Sequence, residues 1–234
     1  MGLFNFKRKK QNTACLCLDE APSVGYNSND FWIEGDLLIK YYGKDENVVL
    51  PEIVKIIGDY AFGGLKFLKA IKVTDSVTEI RSGAFDGCSN LTTVEFSNNL
   101  RVIGNYAFSS CQNLSLTQLP PRLTTIGDYA FQFCYKITSI DLGDSITKLG
   151  SKVFNCCVRL EKIKFPNGIR EIPSYMLCGC TALQFVYLPN SVDTLQNGAF
   201  ANCTSLERVV TPRGLNNLKW GTDVFFGCGK LRRY

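Results

Sequence analysis

An aromatic or leucine residue returns every 23 residues through most of this chain: Phe62, Phe85, Phe108, Phe131, Phe154, Leu177 and Phe200, with Phe225 following after 25. Four more ladders run in register with it. The preceding residue is always apolar (Ala61, Ala84, Ala107, Ala130, Val153, Met176, Ala199, Val224). Three residues after come Cys88, Cys111, Cys134, Cys157, Cys180, Cys203 and Cys228, with Leu65 in the first unit. Six after stand Leu68, Leu91, Leu114, Ile137, Leu160, Leu183, Leu206 and Leu231, and five before Ile57, Ile80, Ile103, Ile126, Leu149, Ile172 and Leu195. Coincident ladders at one period mean a repeat array.

A 23-residue unit cannot bury its apolar face alone, so successive units must stack and merge their ladders into one core. Each unit holds a short alternating stretch, such as Leu91-Thr-Thr-Val94-Glu-Phe96 or Leu160-Glu-Lys-Ile163-Lys-Phe165. That period of two predicts a strand with one buried face. A Pro, Asn or Gly turn follows, then a second apolar pair (Ile169 and Ile172, Val192 and Leu195) that leads into the Ala-Phe turn. The expected fold is a β-rich solenoid of about eight coils. At ~4.8 Å per coil it makes a curved rod roughly 35 Å long.

The unit Leu-x-x-Ile-x-Leu-Pro-x-x-Val-x-x-Ile-Gly-x-x-Ala-Phe-x-x-Cys resembles the BspA-type leucine-rich repeat, over about residues 31–234. Phe31 to Tyr41 is similar to the hairpin that opens such arrays, with Gly35-Asp36 as its turn. The implied organisation is a flexible basic tail over 1–22, a capping hairpin over 23–50 and a curved leucine-rich-repeat array over 51–234. The resemblance implies a non-catalytic binding surface, often on surface proteins of bacteria and some parasitic protists.

Charge points away from nucleic acid. Of the net +5, Lys7, Arg8, Lys9 and Lys10 carry four, which leaves the repeats nearly balanced. The 45% apolar and 20% charged composition, with mean hydropathy of zero, excludes a disordered chain and a polytopic membrane protein. The basic run is followed by Gln11-Asn12-Thr13 and only five apolar residues, Ala14 to Leu18, too few for a signal core. The expected location is therefore cytoplasmic. Membrane contact is expected only through the tail, where Gly2, Cys15 or Cys17 could be acylated, although Phe6 departs from the myristoylation pattern.

Catalytic and metal chemistry find few of their usual residues. The chain has no histidine, so none of its eleven cysteines has an imidazole base to make a thiolate. No Walker A or G-x-G-x-x-G string is present to cradle phosphates. The cysteine spacings are C-x-C (Cys15 and Cys17, Cys178 and Cys180) and an adjacent pair (Cys156, Cys157), not the separated C-x-x-C pairs of zinc sites. In-register ladder thiols point the same way, which favours reduced core filler over disulfides. Neither catalysis, a cofactor nor a metal is expected. The sequons at Asn90, Asn113 and Asn202 follow from the repeat template.

Function is then expected on exposed strand positions, the eighth and tenth residues after each Phe. These pairs are Ala70/Lys72, Thr93/Glu95, Leu116/Gln118, Ser139/Asp141, Lys162/Lys164, Phe185/Tyr187 and Arg208/Val210. Lys162, Lys164, Phe185, Tyr187 and Arg208 form the expected binding patch, basic and aromatic, suited to a protein partner of acidic or mixed character. Thr117 at a buried strand position marks its unit as irregular, with Leu116 expected outside; Trp220 stands near the place of an Ile or Leu in the last unit. A surface-displayed or lipid-anchored adhesin-like protein and a cysteine-based redox or metal protein are the other readings.

Overall fold

The computed structural model describes residues 29–232. The tail with Gly2, Lys7–Lys10, Cys15 and Cys17, the stretch 23–28 of the capping segment, and residues 233–234 lie outside the described residues. Two strands, β1 (Phe31–Glu34) and β2 (Leu37–Tyr41), pair antiparallel around Gly35, whose φ of 63° a side chain would resist. Every later strand pairing is parallel. One set holds β3 (Asn47–Val49), β5 (Ala70–Lys72), β7 (Thr93–Glu95), β10 (Ser139–Asp141), β12 (Lys162–Lys164), β14 (Phe185–Tyr187) and β16 (Arg208–Val210). The other holds two-residue strands: β4 (Ile56–Ile57), β6 (Glu79–Ile80), β8 (Val102–Ile103), β9 (Thr125–Ile126), β11 (Lys148–Leu149), β13 (Glu171–Ile172), β15 (Thr194–Leu195) and β17 (Lys219–Trp220). The β-rich solenoid of about eight 23-residue turns is therefore as the repeat dictates. The hairpin joins it through β2, which pairs parallel with β4.

The ladders merge as their spacing requires. Rings of Phe62, Phe85, Phe108, Phe131 and Phe154 stack at 4.9–5.6 Å between centroids and within 12° of parallel. Tyr41 adds a first rung at 5.2 Å from Phe62, so the hairpin caps the aromatic column. The cysteine ladder does more than fill space. Cys88, Cys111, Cys134, Cys157, Cys180, Cys203 and Cys228 each donate their thiol to the backbone carbonyl of the ladder residue one coil back, at 3.1–3.3 Å. Small, apolar and able to donate one weak bond, cysteine suits that place. All nine cysteines among the described residues are free thiols.

The turns carry a polar ladder as well. Three residues before each Phe, Asp59, Asn105, Asp128 and Asn197 use Oδ1 to accept from the next coil's backbone N–H (Ser82, Asp128, Ser151, Thr222) at 2.6–2.9 Å. One residue further on, Tyr60, Tyr106, Tyr129, Lys152 and Tyr175 all adopt left-handed backbone, φ 52–58°. Glycine takes this place at Gly83 and Gly198, where a Cβ would run into the ring of Tyr60 or Tyr175.

One strand departs from the template. In the unit after Phe108, Leu116 is buried and Thr117 exposed, the reverse of the sequence expectation. Burying Thr117 would strand its hydroxyl without a partner, whereas Leu116 loses nothing by turning in. The strand is lost there; a single bridge, Gln118 to Asp141, remains. Trp220 does occupy the Ile ladder, opposite Leu195, but half-exposed, its Nε1 donating to the Leu215 carbonyl at 3.2 Å.

Let a coil run from its two-residue strand through the Ala-Phe turn to the following three-residue strand. Coil 5 is then β11, Phe154 and β12; coil 6 is β13, Leu177 and β14. Between these coils alone, among the described residues, both sheets are interrupted: β11 does not pair with β13, nor β12 with β14. On the β11–β13 side the cause is readable. In tight joints Gly104, Gly127 and Gly150 donate N–H to Ile80, Ile103 and Ile126 at 2.7–2.8 Å, and Pro173 holds the equivalent place with no N–H to give Leu149. Leu177 also interrupts the ring column. A cavity of about 530 Å³ opens between β11 and β13. The turn side stays closed, with Lys152, Phe154 and Cys156 donating to Ser174, Met176 and Cys178 at 2.7–3.0 Å. Pro173→Gly should restore a donor to Leu149 and slow amide exchange in β11 and β13. Net stability should change by less than ~1 kcal/mol, since the added bond is offset by glycine's unfolded-state freedom. Unchanged protection would show that another residue holds the joint apart.

Candidate functional site

Alternation along β14 and β16 presents one continuous exposed surface. Phe185 lies opposite Arg208 and Tyr187 opposite Val210, in parallel register. Burial of Val186 and Val209 turns the outward side chains to solvent: Phe185, Tyr187 and Val210 are 57%, 60% and 42% exposed. Scattered exposed apolar residues are ordinary, but three on two paired strands form a patch. Beyond the outer edge of β16, a cavity of about 490 Å³ opens between Val210, Thr211 and Leu215, so the apolar surface continues past the last strand of this face.

Lys162 and Lys164 project from β12 in register with Ser139 and Asp141 of β10. Lys164 Nζ reaches Asp141 Oδ2 at 2.8 Å. That bond, with a second from the Gly143 N–H, holds the Asp141 carboxyl below its ordinary value. Lys164 is thus matched by its own fold, and Lys162 is the freer cation. Of the five residues singled out in the sequence, the structure brings Phe185, Tyr187 and Arg208 onto one paired sheet and puts Lys162 and Lys164 on the neighbouring one, across the coil 5–coil 6 joint. Val210, absent from the sequence-based patch because it is aliphatic, completes it; the eighth-and-tenth rule already marked the position.

A second surface feature went unread in the sequence. On the turn edge Tyr106 and Tyr129 stack at 4.6 Å, and Lys152 Nζ sits 5.0 Å over Tyr129 and 5.4 Å over Tyr175. Its signal was there, two residues before each Phe. This stripe works chiefly to hold coils together, in the manner of cation–π pairs.

The fully buried ladder thiols are chemically quiet, while half-buried Cys228 is lowered by its bond with Cys203. Burial pushes Cys88 up to about 12, and Cys111, Cys134 and Cys180 well above the ordinary thiol value. Cys156 and Cys178 are half-buried and likewise raised, chiefly by desolvation. No group of three or more metal-donor side chains is gathered among the described residues. No helix among them is long and apolar enough to cross a membrane.

Stacked 23-residue coils with two parallel strand ladders define a leucine-rich-repeat solenoid. The family model for the BspA type leucine rich repeat region matches residues 40–137 and 117–232 in six copies, and the chain belongs to that family. Solved structures agree in fold. A leucine-rich repeat protein from Bacteroides ovatus is 23% identical over 89% of this chain and 67% of its own, with a TM-score of 0.71. The T. pallidum leucine-rich repeat protein TpLRR is 27% identical over 88% of this chain and 90% of its own, at a TM-score of 0.67. One from Eubacterium ventriosum gives 19% identity over 80% and 66%, at 0.58. No curated protein matches the sequence.

Proposed function

We propose that this chain is a non-catalytic scaffold that binds a protein partner through the open strand face of its C-terminal coils. The observation that carries the reading is the Phe185, Tyr187 and Val210 patch beside Arg208, wide open on paired strands yet outside every core ladder. Rigid aromatic side chains next to a guanidinium are the usual makings of an interface hot spot. The partner's complementary surface is a protein face offering an apolar or aromatic anchor with acidic groups around it. Lys162 adds charge steering from across the joint, and Lys164 less so because Asp141 already neutralises it.

Capture of partners from the native cell, with the wild-type protein and the Phe185→Ala/Tyr187→Ala variant side by side, tests the reading. Each single change should weaken binding by about 1–2 kcal/mol or more, with folding nearly unchanged. Charge reversal at Lys162 should mainly slow association. Replacements at Thr93 or Ser139 should have little effect. If the double variant holds the same partner with the same affinity, the patch is ordinary strand surface.

A further inference from the structure

Among the described residues only Cys156 and Cys178 stand outside the thiol ladder, and both lie at the joint between coils 5 and 6. Neither donates to a carbonyl one coil back, as the ladder thiols do. Each is half-buried, so a small solute can reach it. We propose that Cys156 and Cys178 are an oxidation site that closes to an intramolecular disulfide and fastens the one joint where both sheets are unpaired.

The backbone geometry suits this pair. Cys156 N donates to Cys178 O at 2.7 Å. Residues so bonded have Cα atoms within the roughly 4.4–6.8 Å that a disulfide spans. The Cys156 Sγ already leans onto coil 6: a Cβ built on Gly179, the residue after Cys178, would stand 3.0 Å from it. Glycine there leaves the thiol room to turn, while the Cys178 thiol is bonded by the side chains of Asn155 and Asn202. Ladder thiols instead each aim at a carbonyl one coil back, and of these Cys203 and Cys228 also bond to each other. The joint also gives the bond mechanical meaning. With both sheets unpaired and the ring contact missing there, the backbone bonds between coils 5 and 6 are confined to the turns beside Cys156 and Val158. A crosslink there would keep the coils from parting and fix Lys162 and Lys164 relative to Phe185 and Tyr187.

The oxidant is a low-molecular-weight disulfide such as oxidised glutathione. The Cys156 thiolate attacks one of its sulfurs, forming a mixed disulfide and expelling a glutathione thiolate. The Cys178 thiolate then displaces the second glutathione. Two protein protons and two electrons leave, one oxidised glutathione becomes two reduced ones, and the protein is two hydrogens lighter.

The test is incubation of the folded full-length chain with oxidised glutathione, followed by non-reducing peptide mapping by mass spectrometry. A Cys156–Cys178 crosslink should become the dominant product among the nine cysteines of the repeats, with the ladder thiols still free. Cys156→Ser should abolish it and leave Cys178 carrying glutathione. Oxidised wild type should exchange the amides flanking the joint several-fold more slowly, and reductant should reverse this. Separate glutathione adducts on both cysteines, pairing of Cys178 with Cys228 instead, or a crosslink seen only in denaturant would each overturn the assignment.

Discussion

Phe131→Ala is expected to cost about 3–5 kcal/mol, the cost of truncating a large core aromatic. Phe131 is fully buried at the middle of the ring column, 5.4 Å from Phe108 and 5.6 Å from Phe154. Its removal leaves a void bounded by two rings whose own backbones are tied to neighbouring coils, so collapse is limited. Stability in a solenoid is a sum of coil and nearest-neighbour terms. A defect at the centre should therefore cut the array into two weakly coupled blocks, and denaturant unfolding followed by amide exchange should broaden into two phases. The same change at Phe225, near the half-exposed Trp220, should cost less and leave one phase. A cooperative transition displaced by under about 1 kcal/mol would mean that the column is not what couples the coils.

What the sequence made legible is what repeats. The Phe, Ala, Cys, Leu and Ile ladders located the core, the alternation located Phe185 and Tyr187 on the open face, and both follow from periods that physics ties to burial. The orientation of Leu116 and Thr117 was not legible, because a fixed alternation counted from Leu114 ignores the cost of an unpartnered hydroxyl. Tyr41 was read only as hairpin, since the first ring sits outside the 23-residue step. The salt bridge that neutralises Lys164 depends on Asp141 standing one coil away, a 23-residue offset that a residue-by-residue reading of charge passes over.

The joint between coils 5 and 6 was present in the sequence too, spread over separate departures that mean little singly. Pro173 replaces a glycine, Leu177 a phenylalanine, Val153 and Met176 an alanine, and Cys156 and Cys178 are extra cysteines. Only stacking shows that all of them face one another across a single plane. Their shared result is a place where the array can yield without unravelling, and where the expected binding surface is divided between two blocks.

Stability should also fall steeply as pH rises above about 9, because the core is built on protonated thiols. In the folded chain Cys88 is pushed up to about 12 by burial, and Cys111, Cys134, Cys157 and Cys180 are raised as well, whereas the rise of Cys203 comes chiefly from its bond with Cys228, whose own value falls. In the unfolded chain each returns to an ordinary value near 9. The unfolded state therefore loses these protons first and binds fewer of them, so unfolding becomes more favourable with increasing pH. Below the unfolded value the stabilisation is fully present; it is lost progressively between there and the folded values. Cys88 alone accounts for about 4 kcal/mol over that span, at roughly 1.4 kcal/mol per pH step. The other buried thiols steepen the same slope in proportion to their number. The proton matters for a second reason, since it also makes each thiol's bond to the carbonyl one coil back. Denaturant titrations at pH 7, 9 and 10 measure the slope. Cys134→Ala should lower neutral stability and flatten the alkaline slope by about one proton, which separates the thiols from the tyrosines and lysines that titrate nearby. Constant stability from pH 7 to 10 would refute the account. The same burial that produces this weakness keeps the fully buried ladder thiols neutral at pH 7, where a cysteine nucleophile must be a thiolate, and so sets them to structural work.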